Sequence, residues 1–143
     1  MTIDVYPSGQ LGSERQLIEL VQIGSVSMTK VSTLSLEGFL ASMKLFSIPY
    51  LFDDEDHLWR VLDAPVGRDI LNSLRPIRLQ GLGYYNAGSR SFYMRDRAVH
   101  TPDDLAGLKI RVMSSRMAIN MVEALGGSAT PISWGELYTA LQQ

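Results

Sequence analysis

Two arginines have the surroundings that anion binding requires, and Arg111 is the more specific of them. It occupies the run Leu-Lys-Ile-Arg-Val-Met over 108–113, in which apolar and polar residues alternate as in a strand with one buried face. Arg111 falls on the other face. Its guanidinium is permanently charged and presents a planar fork of N–H donors, which suits a carboxylate. A solvent-exposed strand arginine is the alternative, since most arginines are exposed.

The second arginine, Arg90, lies in a polar loop, Asn-Ala-Gly-Ser-Arg-Ser-Phe-Tyr over 86–93. The loop follows a predicted strand over 77–85, and ligand groups in open α/β sheets commonly lie at strand ends. Its amide, hydroxyl and aromatic groups are of the kinds that fix a ligand in a pocket. The candidates are Tyr85, Asn86 and Ser89, with Trp134 from farther along the chain. A polar turn followed by a hairpin arm explains the same residues equally well.

Other chemistries find little support. The chain has no cysteine, which excludes disulfides and thiolate catalysis. His57 and His100 stand near no nucleophile motif, so we do not expect an enzyme. The acids over 53–56 suit a helix start better than a metal site. The glycines over 81–83 lack the third glycine of a dinucleotide loop. We therefore expect no catalytic residues, no metal and no cofactor.

The net charge and the hydropathy of the chain limit the kinds of partner that it can bind. Thirteen basic and fifteen acidic residues give a net charge of -2, so we expect no nucleic-acid binding. The longest apolar stretch, 36–52, is interrupted by Lys44 and Pro49 and is not expected to span a bilayer. The first residues are strand-like and lack the pattern of a signal peptide, which favours either a cytosolic protein or one whose signal peptide is absent from the sequence.

The two arginines must be positioned by a chain of alternating helices and strands. Thr101, Pro102 and the acids after them predict a capped helical turn that ends at Gly107, directly before the Arg111 strand. Ser13 with Gln16, and Ser133 with Glu136, are spaced as capping boxes. The predicted strands are 2–6, 26–31, 77–85, 108–113 and 128–131. The predicted helices begin at Ser13, within 32–47, near Asp53, at Pro65, at 114–115 and at Ser133.

This order of elements and its motifs resemble the substrate-binding proteins of tripartite ATP-independent periplasmic (TRAP) transporters, the DctP-like family. The resemblance covers nearly the whole chain. The motifs that carry it are Tyr-Pro-Ser-Gly-Gln-Leu-Gly over 6–12, Ile-Pro-Tyr-Leu-Phe over 48–52, Thr-Pro-Asp-Asp-Leu over 101–105, Gly-Leu-Lys-Ile-Arg-Val over 107–112, Leu-Gly-Gly over 125–127, Thr-Pro over 130–131 and Glu-Leu-Tyr-Thr-Ala-Leu-Gln over 136–142.

The resemblance implies an α/β fold of the periplasmic-binding-protein type, type II-like and two-lobed, of which this chain is an incomplete part. Residues 1–88 would form most of the N-terminal lobe without its first strand and helix. Residues 89–143 would form the crossover and the beginning of the second lobe, truncated in mid-helix. Such a protein captures an organic acid in the periplasm and delivers it to the membrane subunits of its transporter.

The resemblance also implies roles for four residues. Arg111 pairs bidentately with the ligand carboxylate, Arg90 assists, Trp134 lines the pocket, and Ser32 occupies a position of a ligand-contacting polar residue. The 86–93 run looks like that of members that bind sugar acids such as glucuronate or galacturonate. The alternatives are a C4-dicarboxylate, another 2-oxo or 2-hydroxy carboxylate, or a truncated chain that binds nothing and forms a homodimer through its exposed sheet edges and helix faces.

Overall fold

Helices make up most of the regular structure. The computed structural model describes residues 2–143. In that part of the chain the α-helices are α1 (Glu14–Gln22), α2 (Thr33–Leu36), α3 (Glu55–Asp63), α4 (Pro65–Asn72), α5 (Arg116–Ala124) and α6 (Trp134–Gln142). Segments of 3₁₀ helix cover Ala41–Ser47, Arg75–Ile77 and Pro102–Leu105, and the strands are β1 (Lys109–Val112) and β2 (Ser128–Pro131). None of the helices described has both the length and the apolar content that crossing a bilayer requires.

Most of the helix starts follow from local capping. The predicted capping box of α1 is confirmed: the Ser13 backbone N–H donates to Gln16 Oε1 over 2.8 Å, and the Gln16 N–H donates to Ser13 Oγ. Asp54 caps α3, because its carboxylate accepts the His57 N–H over 2.6 Å. The capping box predicted for α6 is not formed. Ser133 Oγ donates to the Glu136 carboxylate, but the Ser133 side chain accepts no backbone N–H.

The arginine strand is built as predicted. Thr101 and Asp104 form a capping box at a 3₁₀ turn over Pro102–Leu105, and Gly107 then turns the chain into β1 with a φ of +73°. β1 and β2 pair in parallel, with Arg111 opposite Thr130. α5 forms the crossover between them, and Ile110 and Val112 are buried while Arg111 is half-buried. The alternation in the sequence thus follows the two faces of the strand.

Buried side chains form two clusters, and α2 contributes to both. The first cluster comes from residues 18–74 and consists of Ile18, Leu36, Met43 and Leu74. The second consists of Leu34, Leu105, Ile110, Val112, Ala118 and Val122. Leu34 and Leu36, two positions apart in the same short helix, therefore lie in different clusters. Apart from Leu34, the buried members of the second cluster all come from residues beyond 100.

Three predicted strands are wrong. Residues 2–6 are exposed and irregular, 26–31 form bends and loop, and 79–85 form no regular structure. Ile77 ends a 3₁₀ turn, and Arg78 takes a left-handed conformation with a φ of +61°. The backbone N–H and C=O groups of a strand require a neighbouring strand. Within residues 2–143 the sheet contains only β1 and β2, so these apolar runs have no neighbour with which to pair.

We expect Gly67→Ala to destabilise the fold. A Cβ at Gly67 would lie 1.9 Å from the backbone oxygen of Leu62, where α3 and α4 meet. Forcing atoms into such a contact costs typically about 1 to 3 kcal/mol and occasionally more. Urea unfolding followed by circular dichroism measures the loss.

Gly83→Ala is the matched control, since a Cβ at Gly83 meets no atom within 4 Å and its φ is not positive. Equal stabilities of the two variants would contradict the close approach of α3 and α4.

Candidate functional site

The Arg111 guanidinium is held in place by the backbone carbonyl of Ile132. Its Nε donates to the Ile132 oxygen over 3.0 Å and its Nη2 over 2.7 Å. Ile132 directly follows β2, so the parallel pairing of the strands sets the direction of the guanidinium. Of the five N–H donors of an arginine, these bonds use two, which leaves three without a hydrogen-bond acceptor among residues 2–143.

Arg90 brings a second positive charge to the same place. Its Nη2 lies 3.9 Å from the Sδ of Met113, two residues beyond Arg111. Burial lowers the pKa of Arg111, and the positive charge of Arg90 lowers that pKa further. Arg111 is partly desolvated and Arg90 is exposed, and the repulsion between the two positive charges is relieved when an anion binds beside them. The two predicted arginines are therefore close enough for the charge of Arg90 to act on Arg111.

Glu14 is a third charged group near Arg111, and sequence reasoning missed it. Its negative charge opposes the lowering of the Arg111 pKa. Its Oε1 accepts the Ser32 backbone N–H over 3.2 Å and its Oε2 accepts Ser35 Oγ over 2.6 Å. The sequence contains only an indirect signal for this role. Because Ser13 and Gln16 already cap α1, the acid at position 14 is not needed for that cap and is free to bond elsewhere.

The other residues predicted for the site differ in their contacts and in their exposure. Ser32 caps α2 and reaches the site through Glu14. Trp134 is the first residue of α6, two residues beyond the carbonyl that holds Arg111, and its side chain is 74% exposed. Tyr85 is 84% exposed and Ser89 is exposed. The Asn86 side chain accepts the Gly88 N–H over 2.8 Å and closes a turn. Within residues 2–143, no hydrogen bond links these last three residues to either arginine.

The acidic residues before α3 have structural partners. Asp54 is the N-cap, and the Asp53 carboxylate lies 3.3 Å from His57 Nδ1. Across residues 2–143, no group of three or more histidine, aspartate or glutamate side chains is placed to hold a metal ion. The interpretation of these acids as a helix start is confirmed by the cap geometry.

The whole chain matches the model of one protein family. The model described as bacterial extracellular solute-binding protein, family 7, matches residues 1–143. The chain belongs to this family. Among curated relatives, it is 32% identical to the 2,3-diketo-L-gulonate-binding periplasmic protein YiaO of Escherichia coli K12, over 99% of this chain and 43% of that protein.

Solved structures of family 7 relatives have the same fold. A TRAP periplasmic solute-binding protein from Xanthobacter autotrophicus Py2, with bound β-D-galacturonate, superposes with a TM-score of 0.94 at 37% identity. One from Anaerococcus prevotii, with bound α/β-D-glucuronate, gives 0.94 at 42% identity. The matches cover 99% and 98% of this chain and 47% and 46% of those chains. The predicted family and binding-protein fold are confirmed, and the chain spans less than half the length of these relatives.

We expect the turn before β1 to lose stability in acid through Asp104. Hydrogen bonds from the Thr101 and His100 backbone N–H groups hold the pKa of this carboxyl below its ordinary value. A lowered folded-state pKa gives stability above the unfolded-state pKa, and that stability disappears as the carboxyl is protonated. Asp104→Asn should therefore flatten the stability profile below about pH 4.

Chemical denaturation at a series of pH values measures this effect. Asp103→Asn is the control, because the neighbouring Asp103 side chain makes no hydrogen bond within residues 2–143. A wild-type profile with the same acid dependence as Asp104→Asn would remove Asp104 from this role.

Proposed function

We propose that the chain forms part of the ligand site of a periplasmic solute-binding protein that captures a sugar acid, a hexuronate such as glucuronate or galacturonate. The protein delivers this ligand to the membrane subunits of a TRAP transporter and has no enzymatic activity. The observation that carries the proposal is the pair of guanidiniums, Arg111 and Arg90, beside the Glu14 carboxylate. The uronates bound to the Xanthobacter and Anaerococcus proteins support the ligand class.

A carboxylate is the anion that this arrangement fits best. Removing a carboxylate from water is costly unless fixed donors replace the water. Arg111 is already oriented by the Ile132 carbonyl, so its remaining donors lose little conformational freedom when a ligand binds. Arg90 is exposed and adds charge to the site. We assign the bidentate contact to Arg111 and the assisting contact to Arg90.

Glu14 favours a sugar acid over a C4-dicarboxylate. Its carboxylate accepts hydrogen bonds and repels a second carboxylate, whereas a sugar hydroxyl can donate to it. The backbone of Ser32 and the hydroxyl of Ser35 already orient it. A ligand with one carboxylate and several hydroxyls therefore complements both signs of charge. We further assign contacts with the sugar ring to Trp134, Tyr85, Asn86 and Ser89.

The division of the buried side chains into two clusters supports the proposed lobes. The first cluster is drawn from residues 18–74, inside the proposed N-terminal lobe, 1–88. The second is drawn from residues 105–122 with Leu34, inside the proposed second lobe, 89–143, except for that one leucine. The irregular segment 79–93 lies between them in sequence, which supports a boundary near residue 88.

We expect Arg111→Ala to weaken binding of galacturonate about a hundredfold or more, because losing one partner of a buried charge pair costs about 2 to 5 kcal/mol. Arg111→Lys should also bind poorly, since an ammonium cannot reproduce the two parallel bonds. Isothermal titration calorimetry gives the dissociation constants, measured in a family-length protein, that is, one that contains this chain and has the full length of its relatives.

Arg95→Ala is the matched control, because that guanidinium is almost fully exposed and pairs only with its neighbour Asp96 in the described part of the chain. Titration with succinate separates the alternative ligand class. An unchanged affinity in Arg111→Ala would remove this arginine from the site, and tighter binding of succinate than of galacturonate would favour a dicarboxylate.

We also propose that the 143-residue chain associates with a second copy of itself. Trp134, Tyr138 and Leu141 lie three to four residues apart on α6 and are 74%, 73% and 76% exposed. Large apolar side chains at this spacing form one continuous face. Both outer edges of the two-stranded sheet are also free of strand partners within residues 2–143.

Sedimentation velocity should show a dimer of the 143-residue chain that Leu141→Glu shifts toward the monomer, because it places a charge in the shared apolar face. Val66→Glu, at a half-exposed valine on α4, is the control and should leave the dimer intact. A monomer at every concentration up to the solubility limit would contradict self-association.

A further inference from the structure

Glu37 is a buried carboxylate with no role in the site so far described. It follows α2 directly and is 7% exposed. Its Oε1 accepts the hydroxyl of Ser47, and its Oε2 accepts the hydroxyl of Ser115 over 2.7 Å. Within residues 2–143 it forms no ion pair, so hydroxyl groups alone replace its lost water. A carboxylate kept buried in this way is costly to the fold.

Ser115 connects this carboxylate to the arginine strand. Ser115 Oγ accepts the Ala118 N–H over 3.1 Å and thereby caps α5. The Ser115 backbone N–H donates to the Met113 oxygen over 2.7 Å, which closes the turn directly after β1. Met113 is also the residue whose sulfur contacts Arg90. The Glu37–Ser115 bond therefore acts on the end of the strand that carries Arg111.

The N-terminal end of α2 is bonded to Glu14, on the opposite side from Glu37. Ser32 caps α2 and donates its backbone N–H to Glu14, five residues before Glu37. The two buried leucines of α2 belong to different clusters. One four-residue helix thus links the acid near Arg111 at one end to the turn after Arg111 at the other. A cleft of about 300 Å³ beside Glu37 is lined by Gly38 and Lys44, which follow Glu37 in the chain, and by Ser114 to Arg116.

We propose that Glu37 is a positioning residue for the ligand site. Its bond to Ser115 sets the distance between two walls of the ligand site. One wall is formed by Glu14 and Ser32, and the other is the strand that carries Arg111. This inference rests on the proposed function, because the two walls matter only to a ligand that contacts both. Glu37 itself touches no ligand in this proposal.

Two variants test the proposal: the first places two negative charges in contact, and the second removes one of them. Ser115→Asp keeps an oxygen that can cap α5 but places a second carboxylate against Glu37. Adding Glu37→Gln removes one charge and supplies an amide donor to the new carboxylate. Ser47→Ala is the matched control, since it removes the other partner of Glu37 and leaves the Ser115 bond in place. Galacturonate affinity is measured in a family-length protein that contains this chain, well below the lowest melting midpoint of the set.

We expect Ser115→Asp to raise the dissociation constant for galacturonate about tenfold or more, with a fully folded protein. The double variant Ser115→Asp with Glu37→Gln should return to within about threefold of the wild type, and Ser47→Ala should stay within the same range. A purely structural role would lower the melting midpoint without this loss and recovery of affinity. Wild-type affinity in Ser115→Asp, or a loss that Glu37→Gln does not restore, would overturn the proposal.

A second measurement separates this proposal from the proposed function. If the wild-type protein binds neither galacturonate nor glucuronate, the ligand class is wrong, but the link between the walls can still be measured. In thermal unfolding of the 143-residue chain, the effects of Ser115→Asp and Glu37→Gln should be strongly non-additive, because the two groups are in contact. Additive changes in the midpoint would show that Glu37 does not hold the turn after β1.

Discussion

The pair of hydrogen bonds from Arg111 to the Ile132 carbonyl is the interaction on which the proposed site depends. A free arginine side chain is flexible, and holding it in one direction costs conformational entropy. Here the backbone at the end of β2 holds the guanidinium in one direction. That carbonyl is within reach only because β1 and β2 are parallel neighbours joined through α5. The pairing of two four-residue strands thus orients the main charged group.

The charges around Arg111 balance attraction and repulsion. The positive charge of Arg90 lowers the pKa of Arg111, and the negative charge of Glu14 opposes that lowering. Glu14 also has a structural task, because it accepts the N–H at the start of α2. Glu37, directly after α2, accepts a hydrogen bond from the Ser115 hydroxyl. The two acids therefore lie at opposite ends of α2, with Glu14 near Arg111 and Glu37 against the turn after β1.

Features controlled by neighbouring residues were predicted well. The cap of α1 by Ser13 and Gln16, the turn that begins at Thr101 and the strand around Arg111 are all formed as expected. Each depends on residues three or four positions apart or on a simple alternation, so a single sequence contains the information. The predicted strands over 2–6, 26–31 and 77–85 are wrong for the opposite reason. An apolar run becomes a strand only when another segment supplies hydrogen-bond partners, and that is a non-local condition.

The sequence by itself determined the family, the capped helices and the carboxylate-suited arginine at position 111, because long motifs and short-range spacings carry them. The tertiary structure decided which other charges surround that arginine. Glu14 looks like an ordinary first-turn acid, and Glu37 like an ordinary polar residue after a short helix. Their roles follow from contacts with Ser32 and Ser115, which lie 18 and 78 residues away in the chain. Contacts at such separations depend on how helices and strands pack, which no local pattern specifies.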